Sequence, residues 1–152
     1  MRKEKILLSS FLILVIIILS YTYFTPKKNV NTIEFETIAK GQYSGISERT
    51  TIVVDTKEEW ELFLDRFVAN NNNPEIEKYI FEEGKYTIIT VTMHENQTTG
   101  YDIEIRKIYD YPNYIKLDII QELPCAGCPL EETITRPYHI VAIPKTDKEV
   151  RR

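Results

Sequence analysis

The spacing of hydrophobic positions changes along the chain, and each change marks an element. Ile6 to Phe24 is almost wholly apolar, broken only by Ser9, Ser10, Ser20 and Thr22, and Arg2, Lys3 and Lys5 precede it. A basic flank before an apolar run predicts a secretory signal or signal anchor, with the N-terminus left in the cytoplasm. As a helix these nineteen residues would span roughly 28 Å, the thickness of a bilayer core. No small-x-small tripeptide follows the run, and Tyr21, Tyr23 and Phe24 read as interfacial aromatics. No Cys lies near residue 20, so a lipoprotein anchor is excluded. The expectation is an uncleaved single-pass anchor over 1–24, touching the membrane through residues 6–24. Secretion after cleavage is the alternative. Residues 25–31 (TPKKNVN) read as a linker.

From Thr32 the period shortens. Ile33 and Phe35 alternate with Glu34 and Glu36, which predicts a strand, and Arg49 to Asp55 predicts a second. Gly41 to Gly45 reads as the turn between them. Trp60, Phe63, Leu64, Phe67 and Val68 then fall on one helical face. Thr56 with Glu59 three residues on makes a capping box, and Asn70 to Pro74 ends the helix. Trp60 reads as a core anchor. Beyond Pro74 the pattern is all strand: Lys85 to His94 is rich in β-branched residues. Tyr101, Ile103 and Ile105 alternate with Asp102, Glu104 and Arg106. Ile115, Leu117 and Ile119 alternate with Lys116 and Asp118 across a Pro112-Asn113 turn. Glu132 to Thr135 and Tyr138 to Ile143 are shorter candidates. The expected fold is α+β, mostly antiparallel β, with six or seven strands and one amphipathic helix (about 57–69) packed on the sheet. Residues 32–152 form one extracytoplasmic domain.

Composition narrows the function. The chain has 19 basic and 23 acidic residues, and residues 1–29 hold five of the former and one of the latter. The rest therefore carries 14 and 22, a net −8. An acidic domain repels phosphate backbones, so no nucleic-acid partner is expected. His94 and His139 have no further ligand at metal spacing, and Asp102 with Glu104 falls on a solvated face. No metal, cofactor or catalytic residue is expected, and the protein is read as a non-enzyme.

Cys125-Ala126-Gly127-Cys128 needs separate weighing. A structural zinc knuckle needs a second CxxC, and there is none. A redox pair needs its first thiol at a helix N-terminus, but Pro124 and Pro129 flank the motif and both sides read as strand. Outside the cytoplasm the two can close a local disulfide worth about 2 kcal/mol. The residues favour the disulfide; thiol-redox, metal and free-thiol states stay open.

The remaining features lie in loops. Gln97-Thr98-Thr99-Gly100-Tyr101 joins two strands; Gly100 can take positive φ, and the Thr hydroxyls can bond loop amides. Gly45-Ile46-Ser47-Glu48-Arg49, Glu59-Trp60, Thr98-Thr99-Gly100-Tyr101-Asp102-Ile103-Glu104-Ile105, Thr135-Arg136-Pro137-Tyr138-His139-Ile140-Val141 and Ile143-Pro144-Lys145 follow one another along the chain. That order, over about 40–145, resembles the C-terminal domain of the protease complex subunit PrcB family. The family pattern tends toward Thr-Gly-Gly-Tyr, and Thr99 stands where its first Gly is expected. Asn96 to Tyr101 and Arg136-Pro137-Tyr138 are also similar to loops of chagasin-type cysteine protease inhibitors, with Gln97 in place of a Pro and Tyr138 in place of a Trp. The resemblance implies a tethered accessory or regulatory partner of a surface or secreted protease. It would bind protein through Gln97, Thr98, Thr99, Gly100, Tyr101, Arg136, Pro137 and Tyr138. A chagasin-like inhibitor and a CxxC redox protein are the alternatives.

Overall fold

The computed structural model describes residues 30–68 and 74–152. The expected membrane helix and most of the linker lie outside these residues. Among the described residues no helix is long and apolar enough to cross a membrane.

Among the described residues, eight strands and two helices form three layers. In chain order they are β1 (Asn31–Ile33), β2 (Glu36–Gly41), β3 (Thr51–Val54), α1 (Lys57–Val68), α2 (Pro74–Lys78), β4 (Tyr86–Thr92), β5 (Asp102–Asp110), β6 (Tyr114–Glu122), β7 (Tyr138–Pro144) and β8 (Glu149–Arg151). One sheet has the order β1-β5-β6-β8, the other β2-β7-β4-β3. All pairings are antiparallel except β6 with β8.

Two cores explain the patterning. Between the sheets, Ile89, Val91, Met93, Val141 and Ile143 meet Ile103, Ile105, Ile108, Ile115 and Leu117. On the far side of the β2-β7-β4-β3 sheet, Ile88, Ile140 and Ala142 meet Trp60, Phe63, Phe67 and Ile76 of the helices. β4 and β7 are therefore covered on both faces, which is why their sequences run apolar without alternation. β5 and β6 have one solvated face, so theirs alternate.

The helix starts as its capping residues dictate. The Glu59 amide donates to Thr56 Oγ1 at 3.2 Å, and the Thr56 and Asp55 amides donate to Glu59 Oε2 at 3.2 and 2.8 Å. Trp60 is a core anchor: it stacks on Phe63 at 5.4 Å and meets Tyr79 and Phe81 edge-on or tilted.

The structure departs from expectation at several elements. The strand expected from Thr32 is two strands in different sheets. Ile33 and Phe35 still share the inter-sheet core while the chain crosses at Glu34-Phe35. Gly41 belongs to β2 and lies under the ring of Tyr138, where a Cβ would approach to 2.9 Å. Pro74–Lys78 is a second helix, too short to show a period, whose Ile76 is fully buried. Glu132 to Thr135 is loop, touching only a one-residue bridge from Thr135 to Asn96. β8 was not anticipated, since three residues carry no pattern.

A polar link joins the sheets. β5 bulges between Ile105 and Lys107, and the Ile105 amide donates across the sandwich to His139 Nδ1 at 2.9 Å. His139 Nε2 lies 3.0 Å from Thr37 Oγ1. An accepting Nδ1 requires the neutral ring. Burial, then the Lys40 charge, holds the His139 pKa below its ordinary 6.5, against an opposing pull from Glu104 and Asp102.

Two predictions follow from the packing. Phe67→Ala should lower unfolding free energy by about 3–5 kcal/mol in urea titration. At pH values below about 6.5 the unfolded chain takes up a proton at His139 that the folded chain resists. Stability contributed by the neutral ring is thus full above that pH and declines as pH falls toward the lowered folded value. His139→Gln should flatten this part of the urea-midpoint profile relative to wild type.

Candidate functional site

Three long connections leave the sandwich at one pole: 42–50 from β2 to β3, 93–101 from β4 to β5, and 123–137 from β6 to β7. The ladders place them together, since Gly41 and Thr92 both pair with Tyr138, and Asp102 pairs with Glu122.

The loops are clasped mainly through main chain. Asn96 and Thr135 exchange amide-to-carbonyl bonds of 2.9 Å. The Arg136 amide donates to Gln42 O at 2.6 Å and the Ser44 amide to Arg136 O at 2.9 Å. The Glu95 amide donates to Ser47 O at 3.0 Å, and the Met93 amide to Pro137 O at 2.9 Å. Side chains complete the clasp. Thr135 Oγ1 donates to Thr98 O at 2.9 Å. The Arg136 guanidinium holds Glu95 Oε2 through Nε at 3.0 Å and Nη2 at 2.6 Å.

The predicted site residues divide by exposure. Gln97 and Gly100 are exposed, and Thr98, Thr99, Tyr101 and Arg136 are half-buried. Pro137 and Tyr138 are buried. Tyr138 packs its ring edge-on to Phe67 at 4.8 Å, so it secures the helix layer from beneath the loop. Tyr101 packs against the inter-sheet core. The structure thus brings the 97–101 and 136–138 segments to one pole, but presents only part of them to solvent.

Gly100 is required where it stands. Its φ is +93°, and a Cβ there would lie 3.0 Å from Leu130 Cδ2 and 3.3 Å from Pro124 Cα. The neighbouring Thr99 amide donates to Glu131 O, and Thr99 Oγ1 accepts the Glu131 amide, both at 3.1 Å. The Thr99 hydroxyl therefore pins the 123–137 connection.

Cys125 and Cys128 form a close pair at the exposed bend of that connection, Cα atoms 5.5 Å apart, a separation that suits a disulfide. Gly127 between them has φ +81°, and the Cys128 amide donates to Cys125 O at 3.3 Å. No helix begins there.

Sequence reasoning missed the apolar residues that stand out at this pole. Tyr43 (49% exposed), Leu123 (70%), Leu130 (40%) and Ile134 (45%) all project from these connections. Exposed Glu48, Glu131 and Glu132 lie on the same connections and exposed Glu122 ends β6 beside them, with Arg49 as the exposed basic exception. The apolar four sit singly among Pro, Glu and Thr, so no period marked them.

Among the described residues, the ionisable side chains joined at this pole are the Arg136–Glu95 pair. Asp102 and Glu104 instead clamp Lys40 of β2 at 2.7 and 2.6 Å, an ion bridge across the sheets. The hydrogen bond from Lys40 holds the Glu104 carboxyl below its usual range. Burial depresses the Lys40 pKa, but its bonds to Asp102 and Glu104 outweigh that and raise it. Among the described residues no cluster of three His, Cys, Asp or Glu could hold a metal.

The comparisons bear on this region. Residues 87–144 match the PrcB C-terminal family model. The PrcB C-terminal match runs from β4 to the end of β7 and takes in two of the three clasped connections. The 42–50 connection and the helices lie before it, so it is narrower than the resemblance over 40–145. No curated protein and no solved structure matches the chain.

Gly100→Ala should cost about 1–2 kcal/mol for the unfavourable φ alone. It should also speed hydrogen exchange at the Thr99 and Glu131 amides, read by NMR, with the core amides of β4 and β7 still protected.

Proposed function

We propose that the chain is a membrane-tethered, extracytoplasmic binding domain that docks a protease through the clasped pole and carries out no reaction itself. The observation that carries this reading is the pole: a rigidly cross-bonded set of loops that leaves Tyr43, Leu123, Leu130 and Ile134 in water. Exposed apolar side chains grouped on a fixed frame favour a protein partner. The acidic residues around them favour one with a basic rim, and would steer its approach. The PrcB C-terminal match supports the protease-complex setting, and the apolar run over 6–24 supports the tether.

The inhibitor reading draws less support. A chagasin-like wedge would need the Arg136-Pro137-Tyr138 segment in solvent, and Pro137 and Tyr138 are buried. The thiol-redox reading lacks a helix dipole to activate Cys125. A disulfide at Cys125–Cys128 fits better as a brace for the 123–137 connection. An insulin reduction assay with a Cys128→Ser control should show no turnover.

The main test is site-specific crosslinking in intact membranes. A photoreactive group at Leu123 or Ile134 should capture a protease, identified by mass spectrometry, while the same group at exposed Leu62 on α1 should not. Leu123→Asp with Leu130→Asp should weaken capture at Ile134 at least tenfold. Capture of no protease at the pole, or equal capture at Leu62, would overturn the reading.

A further inference from the structure

We infer that the tip of the β5–β6 hairpin, Tyr109 to Lys116, seats against the headgroups of an anionic bilayer. The inference rests on the reading that residues 6–24 anchor the chain.

The path of the chain supplies the first argument. β1 begins at Asn31, which pairs with Asp110 beside the hairpin tip. Only residues 25–30 separate the apolar run from this strand, and six residues reach at most about 20 Å. An anchor at 6–24 therefore holds the Asp110 end of the sandwich near the bilayer. The clasped connections leave the other end of β5, at Asp102.

The chemistry of the tip supplies the second. Tyr111 and Tyr114 stack at 4.6 Å, and the Arg151 guanidinium lies 4.3 Å over the Tyr114 ring. Tyr109 stands directly opposite Lys116 in the ladder. Tyrosine rings and long basic side chains are the groups that settle at the headgroup level. The acids nearby are largely engaged: Asp110 by Lys148, Asp118 by Arg106, Glu149 by Arg151. Glu34 shares a shallow cleft with Arg106 and Lys107. Lys116 is exposed and has no ion pair among the described residues, and Lys27 and Lys28 precede the domain. Residues 30–152 carry 14 basic against 22 acidic groups. An anionic surface repels most of such a domain and tolerates this face.

The experiment uses the full chain in nanodiscs with brominated lipids, either neutral or one-third anionic, and an Asn113→Trp variant. Trp60 is buried, so the parent chain supplies the background emission. The introduced indole should be quenched at least twofold more in anionic than in neutral discs. Adding Lys107→Glu and Lys116→Glu should abolish the difference, as should 0.5 M salt. Equal quenching in both lipids, or none, overturns the inference. Incorporation into the discs is scored separately. A chain that does not incorporate refutes the anchor and the tip contact together, whereas an incorporated chain with an unquenched tip refutes the contact alone.

Discussion

A strand sealed from water on both faces must have a layer on each side, and β4 and β7 are in that position. Their shared ladder, from Tyr86–Pro144 to Thr92–Tyr138, forms the centre of the molecule. Ile89 and Val141 point into one core, Ile88 and Ile140 into the other. The helices exist to cover one side and the β1-β5-β6-β8 sheet the other. Removing either layer would leave half of a doubly apolar pair in water. The His139–Ile105 bond works within this constraint. It gives the buried Ile105 amide, beside the β5 bulge, a partner across the sandwich, where an unpaired group would cost about 1–3 kcal/mol.

What the sequence disclosed follows from the same burial. Strands with one wet face, β5 and β6, were legible almost to the residue, because alternation marks both the element and its orientation. The helix was legible from its stripe and from the Thr56–Glu59 box. β4 and β7 were legible as strands but not as central ones, since a continuous apolar run does not say what covers it. The split between β1 and β2 was hidden because Ile33 and Phe35 keep a single alternation while the backbone changes sheets. α2 and β8 were too short to show any period.

The candidate site was legible only in part. Gly100 was marked by its type, and Thr98 and Thr99 by hydroxyls that seek loop backbone. The Thr99 hydroxyl accepts the Glu131 amide and the Thr98 carbonyl accepts the Thr135 hydroxyl, and both partners lie over thirty residues away and carry no mark. Tyr138 was misleading for a physical reason. A tyrosine beside Arg-Pro reads as a surface anchor, yet the strand direction turns it inward onto Phe67. Tyr43, Leu123, Leu130 and Ile134 escaped notice because isolated apolar residues in a loop look the same whether they are buried or exposed.

The clasp among the three connections relies chiefly on amides and carbonyls, which every residue but proline supplies alike. Tyr43, Leu123 and Ile134 contribute little to holding it. Replacing these side chains would leave the main-chain bonds of the frame in place, as letters on a sign can be changed without rebuilding the post. The chemistry shown to solvent at this pole is thereby uncoupled from the bonds that set its shape.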